Sequence, residues 1–326
     1  MSTLNLKKLA EQSFMTVEAN NPSGSVVKLG ELERAQLLSY VVDNSIFYSL
    51  TNGNDLISKD DLSLKFVKNQ ASIFSEKNSI GAGTPDKWRI TKPIIVEWEA
   101  PIKSFEGYLA VEKGATQAIH AGTKTAKMLN QFARAFERTA FKKLENKIVD
   151  DNQKLEFDFQ TKTSEECFNL LVSKATELTQ TIDEKQGLDL IDASDIVILV
   201  KPVILDKIST YGIKGNFAEQ SFLNGSYAVG TIGGYKIVSC PFLDKFDAII
   251  TTNFIAVAAT NVIALNAGRI DNLSNDEGVY FEAQMASAIV WDKLAIGISK
   301  TAVSSKDNED KIIELPTSKT TRIQNN

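Results

Sequence analysis

The amino-acid sequence predicts an α+β fold organised around one long helix, and three observations support this prediction. Between Thr116 and Asp150, apolar residues recur three and four positions apart, the spacing that lines one face of an α-helix. Residues 60–100 instead alternate apolar and polar side chains, as β-strands do. After the helix, short apolar runs lie between turn residues, which indicates a block of mixed strands and helices.

The long helix is the most strongly patterned segment of the chain. Past Gly122 it contains no Gly or Pro, and a rise of 1.5 Å per residue makes it about 40 to 50 Å long. This length predicts a strut that spans the subunit. The apolar face is expected to hold Leu129, Phe132, Phe136, Ala140, Leu144 and Ile148. The other face is predicted to be basic, with only Glu137 and Glu145 set against Lys124, Lys127, Arg134, Arg138, Lys142, Lys143 and Lys147.

The first 50 residues are predicted to form an arm rather than part of the core. Two short amphipathic stretches, Leu4–Val17 and Leu29–Val42, flank a polar breaker at residues 20–24. Isolated helices of about 12 to 15 residues are marginal in water. Each stretch is therefore expected to need a surface on which to lie.

A long β-hairpin is predicted between residues 60 and 100. Its outgoing strand alternates at Leu62, Leu64 and Phe66, and a turn-rich segment follows at residues 79–86. The returning strand alternates at Trp88, Ile90, Ile94, Val96 and Trp98. Pro93 cannot donate a ladder hydrogen bond, so this strand is expected to have a free edge there. A two-stranded ribbon is marginal alone, so the hairpin must rest on another surface.

The rest of the chain is predicted to alternate short elements before ending in long strands. A helix is expected from Ser164, as its N-cap, to Thr181, and a second from Pro202 to Tyr211. Short strands are expected at residues 195–200, 235–239, 248–252, 254–258 and 262–265. Val279–Val290 and Leu294–Ser299 are predicted to pair about the turn 291–293. The last 25 or so residues are polar and are expected to form a tail.

Length and composition favour an ordinary soluble protein. The 326 residues suggest about two domains, and the net charge of −5 argues against general coating of nucleic acid. The two cysteines, Cys167 and Cys240, match no metal or redox spacing and are expected to be reduced thiols. No signal sequence or membrane-spanning apolar run is found. The protein is therefore predicted to be made as a soluble intracellular product.

The inventory of reactive residues indicates no catalytic, metal or cofactor site. The single histidine, His120, lies at a helix start, and no serine occupies a G-x-S-x-G elbow. The segment Gly122–Thr125 lacks the spacing of a phosphate-binding loop, and residues 230–234 do not form a dinucleotide fingerprint. Paired acids at element ends are expected to act as caps or breakers. The chain is therefore predicted not to be an enzyme.

The order of these parts resembles the major capsid proteins of tailed bacteriophages, which have the Hong Kong 97 fold shared with encapsulin shells. The local similarity is strongest at residues 195–202 (DIVILVKP), 230–241 (GTIGGYKIVSCP) and 248–252 (AIITT). The resemblance implies an N-terminal arm (1–50), an extended β-hairpin loop (51–100), a peripheral domain with the spine helix (101–154 and 266–300), an axial domain (155–265) and a C-terminal tail (301–326).

The resemblance also implies a function. A major capsid protein assembles with itself into hexamers and pentamers of an icosahedral shell around double-stranded DNA. Separate scaffolding and portal proteins would be its other partners, and no membrane is involved. Assembly would take place in the host bacterial cytoplasm and the product would be the virion. The alternatives are an encapsulin-like compartment that holds cargo and, less favoured by the residue inventory, a hydrolase or transferase with an unrecognised site.

Two sets of residues are candidates for contacts in such a shell. Phe66, Trp88 and Ile90 of the hairpin are predicted to lie against a neighbouring subunit. Arg134, Arg138 and Lys142 are spaced four apart and therefore form one row on the helix surface. This row either faces packaged DNA or is an ordinary face, solvated or paired with acids of a neighbour. The sequence leaves both interpretations open.

Overall fold

A computed structural model describes residues 3–20, 26–52, 54, 56–58, 63–68, 93–107, 117–183, 186–214, 229–269 and 277–300. The α-helices are Thr3–Asn20 (α1), Glu31–Val42 (α2), Gln117–Asp150 (α3), Ser164–Thr179 (α4) and Pro202–Lys214 (α5). The strands are Val26–Lys28 (β1), Leu56–Ser58 (β2), Ser63–Phe66 (β3), Ile94–Glu97 (β4), Ile102–Gly107 (β5), Lys154–Glu156 (β6), Ile196–Val200 (β7), Val229–Ile232 (β8), Tyr235–Ser239 (β9), Ala248–Thr252 (β10), Ala256–Arg269 (β11), Glu277–Ile289 (β12) and Ala295–Ser299 (β13).

The long helix α3, called the spine helix below, confirms the main prediction from the sequence. It runs for 34 residues without interruption, and all the apolar side chains expected on its inner face are buried. The helix contacts α1, β12 and β11. The edge-to-face pair Phe132 and Phe281, with ring centroids 5.8 Å apart, joins the helix to β12.

Helix α1 lies along the spine helix and supplies core residues. Leu6, Ala10 and Phe14 recur four apart and are fully buried. The two helices approach closely at Gly122, where a Cβ atom would lie 2.8 Å from the backbone nitrogen of Glu11. The surface that these short helices were expected to need is the spine helix for α1, and both the spine helix and strand β11 for α2. The expectation that residues 1–50 lie outside the core is wrong.

A four-stranded antiparallel sheet in the order β1-β11-β12-β5 packs on the spine helix. The sequence predicts two short strands where β11 is one long strand, because polar residues interrupt the apolar pattern. These polar residues, Thr260 and Asn261, pair in regular register with Met285 and Gln284 of β12, and a bulge follows between Val262 and Ala264. The guanidinium of Arg34 on α2 donates to the carbonyl oxygens of Val262, at 3.0 Å, and of Ile263. Strand β5 was not predicted.

A second, mixed sheet has the order β6-β13-β10-β7-β9-β8. Its central strand β7 is buried at every position, which explains its continuous apolar sequence. Strand β13 pairs with β10 and, in parallel, with β6. The prediction that the last two long strands pair with each other is therefore wrong. The chain turns at Trp291–Lys293, where Lys293 adopts a positive φ of 61°, and enters the other sheet.

Helices α4 and α5 flank the second sheet at nearly the predicted positions. The N-cap of α4 is Thr163 rather than Ser164, because Thr163 forms a capping box with Glu166. The Thr163 amide donates to the Glu166 carboxylate at 2.8 Å, and the Glu166 amide donates to the Thr163 hydroxyl at 3.2 Å. Helix α4 ends at Thr179, and α5 continues through Gly212 to Lys214.

The base of the predicted hairpin is a three-stranded sheet in the order β2-β3-β4. Strands β3 and β4 are antiparallel, with Phe66 opposite Ile94 and Ser63 opposite Glu97. Strand β4 is an edge strand of this sheet, as Pro93 indicated. The predicted turn at residues 79–86, Trp88, Ile90 and the tail at 301–326 lie outside the described residues.

Candidate functional site

The outer face of the spine helix carries the predicted basic row. Arg134, Arg138 and Lys142 are all exposed, and none of them forms an ion pair with any residue that the structure describes. The other cations of the helix are neutralised by acids of their own chain. The pairs are Lys124 and Lys127 with Glu106 (3.7 and 2.8 Å), Lys143 with Glu99 (2.6 Å), and Lys147 with Asp151 and Asp292 (2.9 and 2.6 Å).

The two acids that were predicted to share this basic face lie inside the protein instead. Glu137 is 3% exposed and Glu145 is 1% exposed. The sequence-based assignment is wrong because α1, the sheet and the segment after β9 bury a wider arc of the helix than its apolar residues indicate. Both carboxylates accept hydrogen bonds from distant segments.

Glu137 holds the turn that follows α2. Its carboxylate accepts hydrogen bonds from the hydroxyl of Ser45 and from the backbone N–H of Phe47, the latter at 3.2 Å. Burial raises the pKa of Glu137 to about 7, although these hydrogen bonds act in the opposite direction. The carboxylate therefore fixes residues 45–47 on the spine helix and is poised to titrate near neutral pH.

Glu145 holds the turn between β9 and β10. One oxygen, Oε1, accepts the backbone N–H groups of Asp244, Lys245 and Phe246 at 2.9, 2.9 and 3.2 Å. Three donors on one oxygen are what an anion-binding turn provides. Burial nevertheless outweighs them and raises the pKa of Glu145 to about 7.

An aromatic cluster forms around Phe141 of the spine helix. Phe47 packs edge-to-face on Phe136 and on Phe141, with centroids 5.9 and 5.5 Å apart. Phe141 also stacks on Phe242, at 6.3 Å. Phe47 therefore contacts the spine helix twice, through its backbone N–H at Glu137 and through its ring at Phe136 and Phe141.

Four segments meet near Trp291, at the base of the hairpin. The ammonium of Lys68, just after β3, lies 4.6 Å from the centroid of the Trp291 ring and 3.4 Å from Oε1 of Gln186. Gln186 donates to the carbonyl oxygen of Asp292 at 3.1 Å, and Asp292 pairs with Lys147 of the spine helix. These residues are far apart in sequence, and no motif or spacing indicated that they would converge.

Of the three hairpin residues predicted to contact a neighbouring subunit, the structure describes only Phe66. Phe66 is 1% exposed and packs in the core of its own chain. Trp88 and Ile90 lie outside the described residues, so the prediction that they contact a neighbour remains a prediction. Any contact of this kind would come from the part of the hairpin beyond Lys68.

The remaining candidates from the sequence are the histidine and the two cysteines. His120 is half-buried in the first turn of the spine helix, and both cysteines are buried and unpaired with each other. Across the described residues, no group of three or more His, Cys, Asp or Glu side chains could hold a metal ion. No helix in that part of the chain has both the length and the apolar character needed to cross a membrane.

Comparisons with known proteins identify the fold. No protein-family model matches the chain, and no curated protein matches it. Among solved structures, the capsid of the cyanophage P-SCSP1u is similar with a TM-score of 0.54 and 12% identity, covering 79% of this chain and 89% of that one. The procapsid of satellite phage P4, which includes the size determination protein Sid, is similar with a TM-score of 0.50 and 10% identity, covering 83% and 91%.

A virus-like particle from Pyrococcus furiosus is similar with a TM-score of 0.49 and 13% identity, covering 80% of this chain and 96% of that one. The two phage structures match across most of both chains. The chain therefore has the Hong Kong 97-type capsid fold, as the sequence resemblance implied.

Proposed function

We propose that the chain is a major capsid protein, the subunit of an icosahedral head shell that encloses the double-stranded DNA of a tailed phage or prophage. The observation that carries this proposal is the agreement of fold with two phage capsid structures over about four-fifths of the chain. The role is structural rather than enzymatic. The shell would be assembled in the host bacterial cytoplasm, with separate scaffolding and portal proteins, and would become part of the virion.

The proposed domain boundaries can be compared with the pairing of the strands. The hairpin loop (51–100) and the tail (301–326) keep their proposed limits, and residues 1–50 are kept as an N-terminal segment that packs on the core. The proposed boundary at 265/266 falls inside β11, which pairs with β12 from Ala256 onward. We therefore set the start of the returning peripheral segment near residue 256. Strand β13 pairs with β10, which favours grouping residues 295–299 with the axial sheet.

The hairpin is proposed to contact a neighbouring subunit through Trp88 and Ile90. The base of the hairpin is held to its own chain by Lys68 and by the buried side chains of Leu64, Phe66 and Val96, so the proposed contact with a neighbour is assigned to the part of the hairpin beyond this base. Truncating Trp88 to Ala should remove a contact of a few kcal/mol in each copy. Unchanged shell yield and unchanged thermal stability of Trp88→Ala shells would count against this placement.

The basic row is proposed to contact packaged DNA. Arg134, Arg138 and Lys142 are exposed and have no acidic partner in the described chain, whereas the neighbouring cations are paired. Unpaired cations in a row fit phosphates, and such binding would be independent of DNA sequence and weaken with salt. In the competing interpretation the row is solvated or paired with acids of a neighbouring subunit. Reversing its charges would then leave DNA packaging unchanged or would prevent assembly.

Assembly is the first test of the proposed function. The purified full-length chain, alone and with the scaffolding protein of the same phage if one exists, should form closed shells or hexamers and pentamers. Electron microscopy and light scattering after size exclusion measure this directly. A chain that stays monomeric under all assembly conditions would overturn the proposal. Closed shells that hold a protein cargo and no DNA would favour the encapsulin-like alternative.

Charge reversal tests the basic row. The variant Arg134→Glu, Arg138→Glu, Lys142→Glu should assemble but package less DNA, with a reduced dependence on salt. A matched control, Lys8→Glu, Lys28→Glu, Lys103→Glu, reverses three exposed cations on other surfaces. If the row variant packages DNA at normal density, DNA contact is excluded. If it fails to assemble while the control assembles, the row pairs with a neighbour instead.

A further inference from the structure

One side chain attaches the outgoing strand of the hairpin base to a distant part of the chain. Lys68 lies two residues beyond the end of β3, outside the ladder that β3 forms with β4. Its ammonium lies 4.6 Å from the centroid of the Trp291 ring and 3.4 Å from Oε1 of Gln186. These two groups are called the seat of Lys68 below. No carboxylate in the described ranges lies within ion-pairing distance of this ammonium, so an aromatic face and an amide oxygen hold it.

The amide of Gln186 is oriented by bonds that do not involve Lys68. Its Nε2 donates to Oδ2 of Asp183 at 2.8 Å and to the carbonyl oxygen of Asp292 at 3.1 Å. Its Oε1 accepts the backbone N–H of Asp292 at 2.9 Å. These bonds determine which end of the amide carries the oxygen. An oxygen with two lone pairs can still accept one more donor, and Lys68 supplies it.

The ring of Trp291 is also held independently of Lys68. Trp291 is buried, and Phe254 packs edge-to-face against it with ring centroids 5.9 Å apart. Trp291 begins the turn at which the chain passes from the four-stranded sheet to the mixed sheet. The next residue, Asp292, pairs with Lys147 of the spine helix at 2.6 Å. The seat therefore belongs to the body of the subunit, and its own bonds do not require Lys68.

The returning strand of the hairpin base is attached at a different place. Just after β4, the backbone N–H of Glu99 donates to the carbonyl oxygen of Met285 in β12 at 2.9 Å. The carboxylate of Glu99 pairs with Lys143 of the spine helix at 2.6 Å. Each strand of the base therefore has its own polar attachment. A single attachment would leave a ribbon free to turn about it, whereas two separate ones fix its direction.

We propose that Lys68 is a latch for the hairpin: in its seat it holds the end of β3 on the body, and withdrawn into water it lets that end move away. Phe66 is the last residue of β3 and packs in the core. Lys68 follows it, so among the described residues of the outgoing strand it is the attachment nearest to the rest of the hairpin. The latch therefore controls where the hairpin leaves its own subunit.

The latch can open without unfolding the parts that it joins. Lys68 lies outside the strand ladder, so its release breaks no hydrogen bond between β3 and β4. The ammonium regains its hydration, and the seat keeps its own bonds. A partly desolvated cation over a Trp face is worth about tenfold in such an equilibrium. This device lies within one chain and goes beyond the proposed function, in which it would set the position of the hairpin toward a neighbour.

Hydrogen exchange of the unassembled full-length chain tests the latch. Peptides that cover residues 63–68 and 93–97 are followed by mass spectrometry. Lys68→Gln should speed their exchange by up to about tenfold, because the end of the ladder is no longer held. Lys68→Arg should restore slow exchange, because a guanidinium also binds a Trp face and an amide oxygen. The matched control is Lys65→Gln, at an exposed position of the same strand, and should leave exchange unchanged.

Two results of this experiment would overturn the proposal. Exchange in Lys68→Gln equal to that of the wild type would show that the contact holds nothing. Equal acceleration in Lys68→Gln and Lys68→Arg would show that the cation is not what holds the strand.

A second measurement detects the seated side chain in the wild-type protein. Lysine is labelled with carbon-13 at Cε, and the Lys68 signal is assigned by its absence from Lys68→Arg. Protons over an aromatic face are shifted upfield, so the Hε signal of Lys68 should lie upfield of those of exposed lysines. A Lys68 signal within the range of exposed lysines would also overturn the latch. Both measurements use the unassembled chain, so a failure to form shells would count against the proposed function and not against the latch.

Discussion

The two faces of the spine helix hold opposite charges in opposite environments. On the inner face, Glu137 and Glu145 are almost fully buried and meet no cation in the described chain. On the outer face, Arg134, Arg138 and Lys142 are exposed and meet no anion there. Water screens the outer charges, whereas the inner charges depend on a few hydrogen bonds in a desolvated setting. Burial, rather than charge sign, therefore decides how much each group matters to the fold.

This contrast predicts a steep gradient of mutational effects across one helix. Inner positions combine packing and hydrogen bonding, so their loss should be measurable in kcal/mol. Outer positions touch little of their own chain, so their loss should be close to neutral for stability.

The largest effect is expected from Phe141, which is fully buried among the rings of Phe47 and Phe242. Phe141→Ala should destabilise the unassembled chain by about 3 to 5 kcal/mol, because it removes apolar surface and leaves a cavity. Urea denaturation followed by circular dichroism measures this loss. Phe105→Ala is the matched control, since Phe105 is 47% exposed on strand β5 and should lose less than about 1 kcal/mol. Equal losses at the two positions would contradict the gradient.

The next effect concerns the donors that Glu145 satisfies. Glu145→Ala should cost about 3 kcal/mol, because it leaves the buried N–H groups of Asp244, Lys245 and Phe246 without an acceptor. Glu145→Gln keeps an acceptor oxygen and a similar volume, so its loss should be at most half as large at pH 7.5. The difference between the two variants isolates the acceptor. A glutamine variant as unstable as the alanine variant would show that charge, not hydrogen bonding, holds the turn.

The next effect is the pH dependence of stability that Glu137 and Glu145 cause. For each group it is expected to be smaller than the mutational losses above, and stability should fall rather than rise with pH. The pKa of Glu137 and of Glu145 is raised from 4.5 in the unfolded chain to about 7 in the folded chain. Their contribution is fully present below about pH 4.5 and is lost as the pH rises through 7. As the pH rises from 5 to 7.5, each carboxylate should lower the free energy of unfolding by about 2 kcal/mol.

Denaturation of Glu137→Gln across the same pH range measures this contribution. The variant should lose the Glu137 share of the slope and keep that of Glu145, and the double glutamine variant should lose both. A wild-type slope that survives in the double variant would assign the pH dependence to other groups.

The sequence predicted the spine helix well, but it could not show which of the charged residues on this helix are buried and which are exposed. Helical periodicity is a local property, and the apolar positions from Leu129 to Ile148 lie inside as predicted. The burial of Glu137 and Glu145 depends on residues about 90 to 100 positions away, Phe47 on one side and Phe246 on the other. No spacing within the helix distinguishes an acid that meets such donors from one that faces water.

Long-range pairing explains the other differences between sequence and structure. The strands β12 and β13 are separated by a short turn, which favours a hairpin from sequence alone. In the structure β12 pairs with β11 and β5, whereas β13 pairs with β10 and β6. The partner of a strand is chosen by the apolar faces of the whole sheet, which no local pattern encodes. The convergence of Lys68 and Gln186 on Trp291 has the same origin.

The smallest effect, and one of opposite sign, is expected on the outer face. Arg138 lies between Arg134 and Lys142 at a spacing of four, so it forms a like-charge pair with each. Arg138→Gln removes both pairs with little change in helix propensity, and should stabilise the unassembled chain by a few tenths of a kcal/mol at low salt. The gain should vanish near 1 M salt, where the screening length falls to about 3 Å. Lys127→Gln is the control, because Lys127 is paired with Glu106 at 2.8 Å and its removal should slightly destabilise. If Arg138→Gln instead destabilises the chain at low salt, the row has a partner within its own subunit, and its proposed contact with DNA loses its physical basis.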